Sequence, residues 1–188
     1  MRGRLECAGD AGGGGGGEKG GPEEPADHAL GRSRGGFGSK IHLVTDGRGL
    51  PLAVHVTAGQ VHESTQFEDL INAVRVPQRL GRPRTRPLRV AGDKGYSYPR
   101  IRRWLRENAI AAVIPQRDDQ RQSHRGRPLV FDKDTYRRRS VIECCVGWLK
   151  ECRAVGTRFE KTAVNFLAMI KLAVIQRYLR VLDSSDRT

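Results

Sequence analysis

Two sets of residues in this sequence have types and spacing that could do chemistry. The first is Asp93. It directly follows the apolar run Leu88, Val90 and Ala91, with Gly92 before it and Lys94-Gly95-Tyr96 after it. In open α/β sheets, functional groups gather at the carboxyl ends of strands. A carboxylate there, between small residues, is placed to hold a metal ion, and equally to cap the next turn. The second set is Tyr136, Arg139, Glu143 and Lys150, spaced by 3, 4 and 7 positions. At about 100° per residue these fall on one narrow helix face. Val141, Cys145, Trp148 and Cys152 fall on the opposite, apolar face. A carboxylate flanked by Arg, Lys and a Tyr hydroxyl suits phosphate chemistry. The carboxylate takes a divalent cation through oxygen, and the cations and hydroxyl take phosphate oxygens. The same pattern also fits an ordinary solvated helix face with intrahelical ion pairs. Together, two carboxylates from separate elements of a basic chain match two-metal phosphoryl transfer.

Both sets need elements to position them. Ile41, Leu43 and Thr45 alternate with His42 and Val44, a strand pattern. Asp46-Gly47-Arg48-Gly49 is turn chemistry, and Leu52, Val54 and Val56 continue as a second strand, making an antiparallel hairpin. Phe67, Leu70, Ile71 and Val74 predict a helix over Glu63–Val74. Pro77 to Pro87 reads as a breaker-rich basic loop. A strand through Leu88, Val90 and Ala91, a helix over Pro99–Asn108 and a strand over Ala111–Ile114 make a βαβ unit with a parallel pair. A helix is expected over Asp134–Arg153 and a last apolar one over Thr162–Leu182. Residues 1–36, with the glycine run Gly12–Gly17, have no periodicity and are expected to be unstructured.

Composition narrows the classes. The chain has 188 residues, enough for one ordinary domain, and a formal charge of +13 from 34 Lys plus Arg against 21 Asp plus Glu. Such a surplus points toward polyanions, nucleic acid first among them. The most apolar stretch, Phe166 to Leu182, is interrupted by Lys171, Gln176, Arg177 and Arg180, so a membrane-spanning helix is not expected. The N-terminus lacks the apolar core of a signal peptide. Cys7, Cys144, Cys145 and Cys152 form no Cys-x-x-Cys pair, which argues against structural zinc and for reduced, mostly buried thiols in a cytoplasmic protein. The histidines are scattered; His62, beside Glu63, is the one nearest a candidate site. Trp104 and Trp148 sit on apolar faces and read as core.

From Pro22 to Leu182 the chain resembles the C-terminal part of bacterial insertion-sequence transposases of the DDE class. The stretches that carry the resemblance are Asp27 to Gly36, Lys40 to Leu43, Thr57 to Ser64, Gly92 to Tyr96 and Asn165 to Met169. The Tyr-x2-Arg-x3-Glu-x6-Lys signature of one large subgroup stands at Tyr136, Arg139, Glu143 and Lys150. The resemblance implies a ribonuclease-H-like fold, a mixed sheet flanked by helices, and DNA cleavage and strand transfer with two Mg²⁺ ions. Asp93 resembles the second catalytic carboxylate and Glu143 the third, both metal ligands. Tyr136, Arg139 and Lys150 resemble the residues that grip transposon-end DNA, with Arg32 and Arg34 as further DNA contacts.

One departure sets further expectations. The family carries its first catalytic Asp on a first strand, and upstream of Pro22 this chain offers one Asp, Asp10, beside a glycine run. The chain is therefore expected to be truncated or frameshifted, with residues 37–183 as a partial catalytic domain lacking that strand and 184–188 as a tail. It would be inactive alone, bind metal weakly or at a single site, and be unstable for want of strand partners. DNA, and an intact transposase subunit, are the expected partners. The alternative is a non-catalytic DNA-binding protein or regulator.

Overall fold

The computed structural model describes residues 4–11, 28–33, 36–121 and 131–185. The run Gly12–Gly17, Arg34, residues 122–130 and the last three residues lie outside these. The strands are β1 (Arg4–Ala11), β2 (Gly31–Ser33), β3 (Gly36–Asp46), β4 (Pro51–Ala58), β5 (Arg89–Ala91) and β6 (Ala111–Val113). The helices are α1 (Phe67–Asn72), α2 (Pro99–Glu107), α3 (Asp118–Arg121), α4 (Lys133–Arg137), α5 (Ser140–Glu151), α6 (Arg153–Gly156) and α7 (Ala163–Ser185). Two 3₁₀ turns, Glu63–Thr65 and Lys94–Tyr96, precede α1 and α2. The fold is mixed α/β. The strand order is β2-β3-β1-β5-β6, with β4 also paired to β3. Among the described residues no helix is long and apolar enough to cross a membrane.

The chain divides into two compact units, with β1, β3, β4 and α5 each contributing residues to both. The first comprises residues 1–8, 43–53 and 62–143. Here the βαβ unit forms as the sequence predicts. β5 and β6 are parallel, with Arg89 opposite Ala111 and Ala91 opposite Val113. Pro99 opens α2, where its missing N–H costs nothing. Ile101 and Leu105 of α2 pack with Val44 of β3, Val90 of β5, Ile110 and Ile114 on either side of β6, and Phe67, Leu70 and Ile71 of α1. Arg102, on the same helix, donates to the carbonyls of Ile114 and Pro115, fastening α2 to the end of β6. The Asp46 turn forms as expected, with Oδ1 accepting from the N–H groups of Arg48 and Leu50. So short a connection permits only antiparallel pairing of β3 and β4.

The second unit comprises residues 9–42, 54–61 and 144–188. At its centre Arg158 is buried and lies over the Phe166 ring at 4.8 Å. Its guanidinium donates to the carbonyls of Glu160, Lys161, Ala29 and His28. His28 Nδ1 also meets the Lys161 carbonyl at 3.0 Å. One buried cation thereby ties the segment before β2 to the loop before α7.

Three expectations change. Residues 1–36 contribute two strands. β1 pairs in parallel with β5, Arg4 with Arg89 and Glu6 with Ala91, so the strand edges expected to lack partners are paired. The instability argued from those edges loses its premise. Next, the helix expected over Glu63–Val74 splits into a 3₁₀ turn and α1, and that over Asp134–Arg153 splits into α4, α5 and α6. Finally, the buried positions of α5 are Ile142, Cys145 and Leu149, while Val141, Trp148 and Cys152 are half-buried and Cys144 is exposed.

Candidate active site

Asp93 stands at the carboxyl end of β5, the middle strand of the parallel set β1-β5-β6. Its Oδ1 accepts the Gly95 N–H at 2.7 Å and caps the 3₁₀ turn that follows. The capping role is thus real, and it occupies one carboxylate oxygen; Oδ2 takes no part in it. Gly95 is where the chain needs a missing side chain. A Cβ there would lie 2.8 Å from Asp93 Oδ1 and 3.3 Å from Glu63 Oε2. The two carboxylates therefore face one another across Gly95, their oxygens no further apart than those two distances combined, about 6 Å. A divalent cation shared by two carboxylates, at 2.0–2.6 Å from each, needs ligand oxygens within about 5 Å of one another.

Glu63 reaches this place because its turn is tied down. Arg100 of α2 donates to the Ser64 carbonyl at 2.6 Å and pairs with Glu68 at 2.9 Å. Phe67 packs against the rings of Tyr96 and Trp104 at 5.6 and 6.0 Å. His62 caps the same turn, its Nδ1 accepting the Ser64 N–H at 3.2 Å. Sequence reasoning singled out His62 and passed over Glu63. The signal was present, since Glu63 lies in the Thr57–Ser64 stretch, but only the fold brings it to Asp93.

Tyr136, Arg139 and Glu143 do come together. Arg139 forms an ion pair with Glu143, and its guanidinium lies 5.6 Å from the Tyr136 ring centre. They meet across the junction of α4 and α5 rather than on a single helix. Asp132 caps α4 through the Thr135 N–H, and Arg89, at the start of β5, reaches both Asp132 and Thr135. The strand that ends at Asp93 thus also anchors the helix that carries Tyr136. Glu143 is largely exposed. Among the described residues no group of three or more His, Cys, Asp and Glu side chains is set to hold a metal ion. Lys150 is exposed near the end of α5. Arg32 is exposed on β2, opposite Phe37 of β3. Arg34 lies outside the described residues.

The chain is similar to known proteins. The family described as the transposase DDE domain matches residues 16–176. The assigned transposase of insertion sequence element IS402 from Burkholderia cepacia is 38% identical over 136 residues, covering 72% of this chain and 60% of that protein. The assigned transposase of element IS6501 from Brucella ovis is 28% identical over 142 residues, covering 76% of this chain and 98% of that protein. Among solved structures, a piggyBac transposase synaptic complex with hairpin DNA is similar at a TM-score of 0.49 and 13% identity, over 90% of this chain and 45% of that one. The chain thus spans about three-fifths of the IS402 relative's length. On the family match and the IS402 similarity, the chain belongs to the DDE transposases of bacterial insertion sequences.

Proposed function

We propose that this chain is the catalytic part of a machine for DNA transposition, built on a ribonuclease-H-like sheet, and that Asp93 and Glu143 are two of its metal-binding carboxylates. The observation that carries the reading is Asp93 at the carboxyl end of the central parallel strand, with the Glu63 carboxylate facing it across a residue that lacks a side chain. The donors are carboxylate oxygens, the set that magnesium prefers. When bound, a divalent ion there supplies a Lewis acid for the phosphodiester and an activated water. Asp93 contributes the oxygen left over from its cap. Tyr136, Arg139, Lys150, Arg32 and Arg34 hold DNA phosphates. A phosphate drawn to Arg139 competes with Glu143 for the guanidinium and would leave that carboxylate available as a metal ligand.

Alone, the chain is proposed to bind DNA without cutting it. Among the described residues no group of three or more His, Cys, Asp and Glu side chains comes together at Asp93. This favours one weakly held ion over a two-metal clamp. The test is a binding and cleavage assay on end-labelled duplex carrying the inverted repeats that flank the coding region, with Mg²⁺ or Mn²⁺. The expected result is binding that weakens steeply with salt, as several phosphate contacts are lost, and no nicking. Nicking that vanishes in Asp93→Ala and Glu143→Ala refutes the inactive-alone reading and supports the assigned carboxylates. Asp10→Ala in the same assay reports whether β1 supplies the third.

A further inference from the structure

We propose that Tyr98, oriented by His62 and overlaid by Arg117, forms a phosphodiester-binding subsite next to Asp93, additional to the Tyr136–Arg139–Lys150 face. The proposal rests on the reading of Asp93 as the catalytic carboxylate and names a further part of the same DNA site.

Proton placement carries it. His62 Nδ1 accepts the backbone N–H of Ser64, an obligatory donor, so in the neutral ring the proton resides on Nε2. Nε2 lies 3.3 Å from the Tyr98 hydroxyl, and the rings meet edge to face at 5.5 Å. With Nε2 donating, the Tyr98 oxygen is the acceptor. Its own O–H is therefore directed away from His62, at an exposed edge, as a donor to something else. Arg117 lies over the Tyr98 ring with its guanidinium carbon 4.4 Å from the ring centre. Its Nε donates to the carbonyl of Lys94, the residue that follows Asp93. That bond fixes the plane of the guanidinium and leaves its two terminal amino groups as a fork, the geometry suited to phosphate oxygens. Lys94 itself adds a cation, held at 3.4 Å from Asp118 at the surface, a pairing that a phosphate can displace. The ligand that matches a neutral O–H donor, a planar cationic fork and an ammonium beside a metal-binding carboxylate is a phosphodiester of the DNA backbone.

The experiment is fluorescence anisotropy of the full chain with end-repeat duplex DNA, without and with Mg²⁺, over a range of salt. Tyr98→Phe keeps the ring and its stacking and loses only the hydroxyl. It is expected to weaken binding about tenfold without changing the salt slope, since no charge is removed. Arg117→Ala is expected to weaken binding by a similar factor and to lower the slope by about 1. Arg117→Lys restores the slope but not the affinity. A merely structural role would not separate slope from affinity in this way. Wild-type affinity and slope in both Tyr98→Phe and Arg117→Ala would overturn the subsite while leaving the transposase reading intact. If the wild-type chain shows no salt-dependent DNA binding, the broader reading fails first.

Discussion

At the residue scale, the sequence shows which side chains have chemistry to offer and hides which of them meet. Asp93 was legible because an apolar strand ends in Gly-Asp, and both its possible roles, cap and ligand, are compatible in one carboxylate. Glu63, Tyr98 and Arg117 were not legible, since each reaches the site through packing and hydrogen bonds between distant segments. His42 makes a separate prediction. It is fully buried on β3, with Nε2 2.7 Å from Thr57 Oγ1, and among the described residues Nδ1 has no hydrogen-bond partner. Burial first, then the nearby charges of Lys40 and His55, lowers its pKa from the ordinary 6.5 to about 4. The unfolded chain accepts a proton there near pH 6.5 and the folded chain does not. Between about pH 6.5 and 4 the unfolded state therefore binds more protons, and stability falls as pH falls. At up to about 1.4 kcal/mol per pH unit, the loss by pH 4 approaches about 3 kcal/mol. Urea unfolding midpoints should drop across that window in the wild type and drop less in His42→Leu. An equal slope in the two would remove His42 as the cause.

At the element scale, periodicity did well where a segment is both apolar and punctuated. The hairpin, the βαβ unit and α7 were readable for that reason. β1 was not, because its short alternation runs into a glycine tract, and composition outweighed pattern. The break between α4 and α5 falls at Arg138–Arg139, where neither Gly nor Pro marks it. The Arg158 clamp is also invisible in sequence, since its acceptors are backbone carbonyls from both ends of the chain. Its replacement is predicted to be costly. Arg158→Ala removes the guanidinium that donates to the carbonyls of His28, Ala29, Glu160 and Lys161, at about 1–3 kcal/mol for each group that water cannot reach. A loss of about 3 kcal/mol in chemical unfolding is expected. Arg158→Lys should recover little of it, because one ammonium cannot span acceptors that a planar guanidinium fork reaches. A loss under about 1 kcal/mol for Arg158→Ala would mean that the clamp is solvated and of little weight.

At the scale of the whole molecule, the +13 charge now has specific places. Arg79, Arg82 and Arg86 are exposed on the loop before β5, and Arg139 and Lys150 lie on either side of Glu143 along the chain. Of the basic residues from Arg117 to Arg127, the structure describes those as far as Arg121, and Arg117 lies over the Tyr98 ring. A surface so charged binds DNA whether or not it can cut it, so binding alone does not test the proposal that Asp93, with Glu63 near it across Gly95 and Glu143 as a further carboxylate, binds a divalent ion. Manganese titration followed by electron paramagnetic resonance tests it without DNA or turnover. Asp93→Asn keeps the Oδ1 cap, and so the fold, while removing the negative charge; Glu63→Gln does the same on the facing side. The account predicts weak Mn²⁺ uptake by the wild-type chain, lost in Asp93→Asn and reduced in Glu63→Gln, with circular dichroism unchanged in both. Wild-type uptake persisting in Asp93→Asn would contradict it.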